Sequence, residues 1–464
     1  MSVTTRHSCS LYPWQVGSPL PAEGPLIGLD LLAGGTVFHY DPWVLYGRRL
    51  LTSPNMVVLG QLGKGKSSLV KTHLHRQLLA GRQAFVLDPK GEYAGLAALH
   101  QMPRLRLGPG SPDRLNPLDP HPQDNAADVA RRRTTTCTAL AATGLGRDLT
   151  PEERAALAAT CARLTPTALL ADVVDALLQP DRATASELHC DAAGLAGRIR
   201  PLALELRRIL HGDLAGMLDA PTTCRLDPHG PGLVLDLSAV FTTPALPTVM
   251  VAAGAWLSRA LTPTTGTTPT SAATSPSTAA GDGERRRLLL VDEAWSLLHL
   301  PATTAWLQAL SKLARAHGVQ LITVLHRPSD LTGQADHGTA TQARAAGLLA
   351  DAETRVLYAQ TPGERTALAE LLDLTAVELD LVTALPPHRA LWHVGPYRAV
   401  IEHLLSTVEA EQLIDTDQHM NALTHGSASS ASSGDTRPAE PVVRTAKTSV
   451  PRCPAAASAE AVTA

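Results

Sequence analysis

Gly60-Gln61-Leu62-Gly63-Lys64-Gly65-Lys66-Ser67 decides the reading of this chain, because it fits the pattern G-x-x-x-x-G-K-[ST]. Residues 56–60 before it are an apolar run that predicts a buried strand, and residues 66–80 after it carry a helical pattern. A strand, a glycine-rich turn and a helix start together make an anion cradle. Glycines let backbone N–H groups face the anion, and the helix N-terminus adds positive potential. In such a loop Lys66 reaches the β- and γ-phosphates of a nucleotide, and Ser67 ligates Mg2+. The expected contacts to ATP are therefore Gly60, Gln61, Leu62, Gly63, Lys64, Gly65, Lys66, Ser67 and Ser68. Lys64 also reads as a solvated loop charge.

A second motif lies about 225 residues further on. Arg285-Arg286-Arg287 precede Leu288-Leu289-Leu290-Val291-Asp292-Glu293, four apolar residues ending in two carboxylates. Open α/β sheets bind ligands at the carboxyl ends of their strands. There Asp292 would join Ser67 in holding Mg2+, and Glu293 would polarise the attacking water as general base. Asp-Glu can equally cap a helix start. The phosphate loop upstream favours the catalytic pair, and a carboxylate beside the metal-binding Asp points to hydrolysis rather than nucleotide holding.

Outward from these motifs, apolar runs at residues 83–88, 104–108, 232–237, 287–292, 319–325 and 354–358 read as strands between helical segments. Residues 389–393 and 397–402, split by Gly395-Pro396, read as a hairpin. This alternation predicts an α/β fold with a mostly parallel sheet. Residues 51–122 and 220–410 make the expected core. Residues 123–219 are rich in Ala, Leu and Arg at helical period and predict an all-α insertion. Residues 1–50 read as a short segment docking on the core, with a strand pair at 24–46 turning at Gly34-Gly35. Residues 262–283 and 421–464 are Thr-, Ser-, Pro- and Ala-rich; they cannot bury enough apolar surface to offset ordering entropy, and are expected to be disordered.

Composition narrows the function. With 40 Lys+Arg against 43 Asp+Glu in 464 residues, a wholesale basic nucleic-acid coat is excluded, though a local basic site is not. Aromatic residues at 3% argue against a base-stacking platform. Arg131-Arg132-Arg133 and Arg198, Arg200, Arg207 and Arg208 could meet phosphates, but a solvated helix face is the default for such runs. The six cysteines are scattered with no metal-type spacing, which speaks against a disulfide framework. Residues 1–13 have no signal-peptide core, and the most apolar stretch, residues 245–257, is short of the roughly 20 residues that span a bilayer. A cytoplasmic protein is expected, or one attached to the inner face of the membrane through partners.

Four further segments make the pattern specific: Asp88-Pro89-Lys90-Gly91-Glu92-Tyr93, then Leu115-Asn116-Pro117-Leu118-Asp119, then Asp292-Glu293-Ala294-Trp295, then Leu313-Ala314-Arg315-Ala316-His317-Gly318-Val319. In this order they resemble the type IV secretion and conjugation ATPases, of the VirB4/TraC type and the related VirD4/TraG coupling proteins, in the HerA/FtsK group of P-loop motors. The resemblance spans about residues 24–409. It implies a RecA-like core with a helical insertion, assembled as a homo-hexamer with nucleotide between subunits. Glu92 matches the family's acidic position after the second strand, and also reads as a helix-start Glu. Arg315 is the candidate finger acting in trans, on a helix whose periodicity leaves Lys312 and Arg315 exposed.

Two departures stand out. After the strand at 319–325 the group carries a γ-phosphate-sensing Gln, where this chain has His326, followed by Arg327. A neutral imidazole donates one hydrogen bond, as Gln can, so sensing can survive; a strand-end surface histidine is the plainer reading. Only about 55 residues precede the phosphate loop, so the chain resembles the motor half alone, and membrane attachment would need membrane-embedded partner proteins. The expectation is an ATP-hydrolysing motor that moves DNA or secreted protein. The alternatives are a HerA/FtsK-like DNA pump outside secretion, or an ATP-dependent assembly scaffold with little turnover.

Overall fold

Unbroken runs of branched aliphatic residues need apolar cover on both faces, which a parallel sheet between helices provides. The computed structural model of the chain has that form and describes residues 20–121, 124–261, 285–298, 301–329 and 346–414. The segments expected to be disordered, 262–283 and 421–464, lie outside the described residues, as does the side chain of Arg315. β1 (Leu26–Asp30), β2 (Thr36–His39), β3 (Met56–Leu59), β4 (Gln83–Asp88) and β5 (Arg104–Arg106) come first. β6 (Gly232–Asp236), β7 (Arg287–Val291), β8 (Gln320–Leu325), β9 (Thr354–Leu357), β10 (Arg389–Val394) and β11 (Tyr397–His403) follow. Among the described residues they form one sheet in the order β2-β1-β11-β10-β9-β3-β8-β7-β4-β6-β5. From β9 to β5 every neighbouring pair is parallel, while β10, β11, β1 and β2 add on antiparallel.

Successive strand residues serve opposite faces. Val57, Leu59, Phe85, Leu87, Leu289, Val291, Leu321 and Leu325 join one core with the helix Leu246–Leu261 and the helices between β5 and β6. Met56, Val58, Ala84, Val86, Leu288, Leu290, Ile322 and Val324 join another with Leu69, Val70, Leu74 and Leu78 of the helix Lys66–Leu79. The helix that follows the phosphate loop is thus clamped along its length to one face of the sheet.

Between β5 and β6 the described residues hold five helices and no strand: Ala126–Leu145, Pro151–Arg163, Leu170–Leu178, Arg182–Glu187 and Ala192–His211. Side chains at their starts define them. Asn125 accepts from the Asp128 N–H, Thr150 and Glu153 form a reciprocal capping box, and Asp181 and Asp191 cap the last two. One expectation needs correcting here. Arg133 belongs to no solvated charge run: it is 1% exposed, and its guanidinium donates to the Pro166 carbonyl. Arg131 and Arg132 pair with Asp128 and Asp124, and Arg198 and Arg208 with Glu152 and Glu205.

The antiparallel wing is held by aromatic residues, scarce as they are. Phe38 and Tyr40 each meet Trp392 edge-on at 5.3 Å between ring centroids. Tyr40 Oη donates to Thr354 Oγ1 at 2.9 Å, tying the N-terminal strands to β9. Further along the helix Lys66–Leu79, Arg76 grips both carboxylate oxygens of Glu409 at 2.6 and 2.7 Å. His73, on the same helix, donates from Nε2 to Gln320 Oε1 at 3.0 Å, while its Nδ1 is buried without a partner.

Burial, only partly opposed by the Gln320 hydrogen bond, lowers the His73 pKa to about 4. Below pH about 6.5 the unfolded chain takes up a proton at His73 that the native state refuses, so this contribution to stability is lost as pH falls towards 4. The His73→Gln variant should therefore gain stability relative to the parent between pH 6.5 and 4.5. The difference should approach roughly 1.4 kcal/mol per pH unit, read from urea denaturation at each pH.

Candidate nucleotide site

Parallel pairing of β3, β8, β7 and β4 brings the loops at their carboxyl ends to one edge of the sheet. The first is the phosphate loop. Gly65 takes a left-handed conformation (φ +108°) as the cap of the helix Lys66–Leu79. Gly60 faces Tyr358, which follows β9; a Cβ at Gly60 would sit 2.4 Å from Tyr358 Cβ. The loop is anchored on both sides, by the Gln61 N–H donating to the Ala359 carbonyl (3.1 Å) and the His388 N–H donating to the Lys64 carbonyl (3.0 Å). Lys66 is 5% exposed and its ammonium donates to the carbonyls of Gly60 and Gln61, the latter at 2.8 Å. Burial lowers its pKa to about 8, against the opposing pull of Glu293 and Asp292. The charges of Glu293 and Asp292 are thus felt at Lys66, although its hydrogen bonds go to its own loop.

The turn after β4 is built by Asp88. Its Oδ1 accepts from the N–H groups of Gly91 (2.8 Å) and Glu92 (3.0 Å), and its Oδ2 from Tyr93 (3.0 Å). Burial raises the Asp88 pKa to about 6, with these N–H donors working against it. The turn distributes three side chains. Glu92 lies 3.4 Å from Lys71 on the helix Lys66–Leu79, Tyr93 Oη donates to Asp292 Oδ2 at 3.0 Å, and Lys90 reaches Glu293 Oε1 at 2.5 Å.

Asp292 and Glu293 are 4% and 3% exposed and differ in their ionisation. Burial first, then Glu293 and Glu92, push Asp292 up to about 6. Burial also works against the Glu293 charge, but donors from His326, Lys90 and Trp295 outweigh it and bring Glu293 down to about 2. His326 Nε2 is 2.9 Å from both carboxylate oxygens, and the Trp295 indole N–H donates to Oε2. Glu293 has a left-handed backbone (φ +52°), a strain of order 1–3 kcal/mol in a non-glycine residue. The Ala294 N–H bond to the Val324 carbonyl (3.1 Å) helps hold that bend.

Of the residues named from the sequence, Glu293 and His326 are in direct contact and Asp292 adjoins them, while Lys66 bonds to its own loop, Glu92 faces Lys71, and Ser67 lies in the first turn of the helix Lys66–Leu79. Lys90, Tyr93 and Trp295 were not singled out individually, although each stands inside a motif used for the family resemblance.

Magnesium is a reasonable occupant on the chemistry of the donors. A Ser hydroxyl and a carboxylate are hard oxygen ligands, and Asp292 is a buried acid destabilised by neighbouring negative charge. Among the described residues no cluster of three or more His, Cys, Asp or Glu could hold a metal by itself.

Fold and site together define a RecA-like P-loop core. No protein-family model matches the sequence, and no curated protein does. Solved structures do match. VirB4 of Thermoanaerobacter pseudethanolicus covers 85% of this chain and 100% of its own, with 22% identity and a TM-score of 0.63. The bacterial conjugative coupling protein TrwB covers 83% of this chain and 89% of its own, with 15% identity and a TM-score of 0.52. TrwB in complex with ADP and Mg2+ covers 79% and 88%, again with 15% identity, at a TM-score of 0.54. The chain has the fold of VirB4 and TrwB.

The close approach at Gly60 is directly testable. Gly60→Ala must push Tyr358 or the loop aside, so it should cost roughly 1–3 kcal/mol in denaturant unfolding and weaken nucleotide binding. Unchanged stability would mean that Tyr358 does not brace the loop.

Proposed function

We propose that this chain is the ATP-hydrolysing motor of a conjugative transfer or type IV secretion system, coupling hydrolysis to translocation of DNA or protein. The observation that carries the reading is the convergence of the Asp88–Tyr93 turn on Asp292 and Glu293, at the same end of the parallel sheet from which the phosphate loop leaves β3. The fold of VirB4 and TrwB supports the same assignment.

In this reading residues 60–68 bind the phosphates of ATP, and Lys66 turns from the loop carbonyls to the β- and γ-phosphates. Ser67 and Asp292 would hold Mg2+, which supplies charge neutralisation at the phosphates when bound. Glu293 accepts a proton from the attacking water. His326 takes the sensing role beside it, and Glu92 keeps Lys71 oriented under the turn. Arg315, on the helix Pro301–Ala316, acts in trans on a neighbour's nucleotide in a homo-hexamer. Membrane-embedded secretion or conjugation proteins are the proposed partners, at the cytoplasmic face of the membrane. No helix among the described residues is long and apolar enough to cross a membrane.

Lys66→Ala and Glu293→Gln should each lower ATP turnover at least about a hundredfold, measured by phosphate release. Glu293→Gln should still bind ATP in a fluorescent-nucleotide titration. Ordinary turnover in Glu293→Gln would overturn its assignment as base. Turnover rising faster than linearly with protein concentration supports trans action, and stimulation by DNA without a secretion partner favours a DNA pump.

A further inference from the structure

Lys90 is the one cation that the turn after β4 delivers to the catalytic carboxylate, and neither the phosphate-loop pattern nor the Asp-Glu pair assigns it a task. Its placement is constrained from several directions. Three backbone N–H groups bonded to Asp88 shape the turn that carries it. Gly91 next to it lies against Ser238, where a Cβ would come within 3.2 Å of the Ser238 Cβ. The Lys90 ammonium lies 5.7 Å from the centroid of the Phe241 ring, on the side of β6. β4 and β7 pair in parallel with Leu87 opposite Val291, so the turn after β4 runs alongside the bend at Asp292-Glu293. The ammonium ends 2.5 Å from Glu293 Oε1, on a side chain 25% exposed facing one only 4% exposed.

An ionised carboxylate has about four acceptor positions. Lys90 takes one on Oε1, the Trp295 indole N–H takes one on Oε2, and the single Nε2–H of His326 is shared between the two oxygens. These donors come from three different strand ends. They fix both the rotamer and the plane of the carboxylate.

We propose that Lys90 is a positioning residue for ATP hydrolysis, holding the Glu293 carboxylate in the plane from which it accepts the proton of the attacking water. Lys90 in this role does not bind the nucleotide; Lys66 has that task, and Lys71 is engaged by Glu92. The inference rests on the hydrolysis reading above and adds the residue that orients its base. Misplacement of a catalytic group by about an ångström is enough to cost a large factor in rate with little change in ground-state binding.

The test uses the full chain with MgATP. Lys90→Met should lower kcat at least about tenfold, while the affinity for a fluorescent ATP analogue stays within about twofold and thermal unfolding shows a folded protein. Lys90→Arg, which keeps a cation at the position, should recover turnover to within a few-fold of the parent. If Lys90→Met does not fold, Lys90→Gln is read in the same way. Unchanged kcat in the Lys90 variants overturns the proposal. So does a loss of nucleotide affinity that accounts for the whole effect, because Lys90 would then be a phosphate contact. Equal impairment in Lys90→Arg and Lys90→Met also overturns it. A parent protein that binds MgATP without turning it over overturns the hydrolysis reading, and this role with it. A parent that turns over normally beside unaffected Lys90 variants removes only the role of Lys90.

Discussion

Keeping the Glu293 carboxylate charged in a nearly dry pocket is the constraint on which the rest of the site depends. A buried carboxylate without donors would take up a proton, and it could then accept none from water. The fold meets this demand with one donor from each of three segments: Lys90 after β4, Trp295 after β7 and His326 after β8. Those segments are far apart in the chain. They come together only because β4, β7 and β8 lie side by side in the parallel part of the sheet. The neighbouring Asp292, with Tyr93 Oη and a backbone N–H as its donors and two carboxylates nearby, is left the less stable anion of the pair. Two adjacent acids thus acquire different characters, one fixed as an anion and the other best stabilised by a cation.

The parts of this arrangement readable in the sequence are those written in short contiguous patterns. The phosphate-loop motif is one, because its glycine spacing, Lys66 and Ser67 stand together in Gly60–Ser67. The Leu-Leu-Leu-Val run before Asp292-Glu293 is another, since a strand covered on both faces cannot alternate with polar residues. The mostly parallel α/β sheet followed from such runs. Lys90, Tyr93 and Trp295 could not be given partners in this way. Their roles depend on which strand lies beside which, and residues 88–93 meet residues 292–295 across two hundred positions of chain.

Arg133 is a different case. Its signal was present: Val129, Arg133, Cys137 and Leu140 recur at helical spacing and all are buried. The Arg131-Arg132-Arg133 run masked it, because adjacent charges suggest a surface although adjacent helix residues point in different directions. The guanidinium is accepted in the interior because carbonyls at the end of the neighbouring helix, Leu164 and Pro166, meet it. Burying it also removes one positive charge from the surface available to a polyanion.

The hydrogen bond from the His388 N–H to the Lys64 carbonyl gives the antiparallel wing a mechanical meaning. His388 stands just before β10, and its own carbonyl accepts from His403 at the end of β11, so the base of the hairpin and the tip of the phosphate loop share a joint. The far side of the wing is stiffened by the packing of Phe38, Tyr40 and Trp392. Displacing the base of β10 and β11 would therefore bear on the Lys64 carbonyl of the phosphate-loop motif through that one bond.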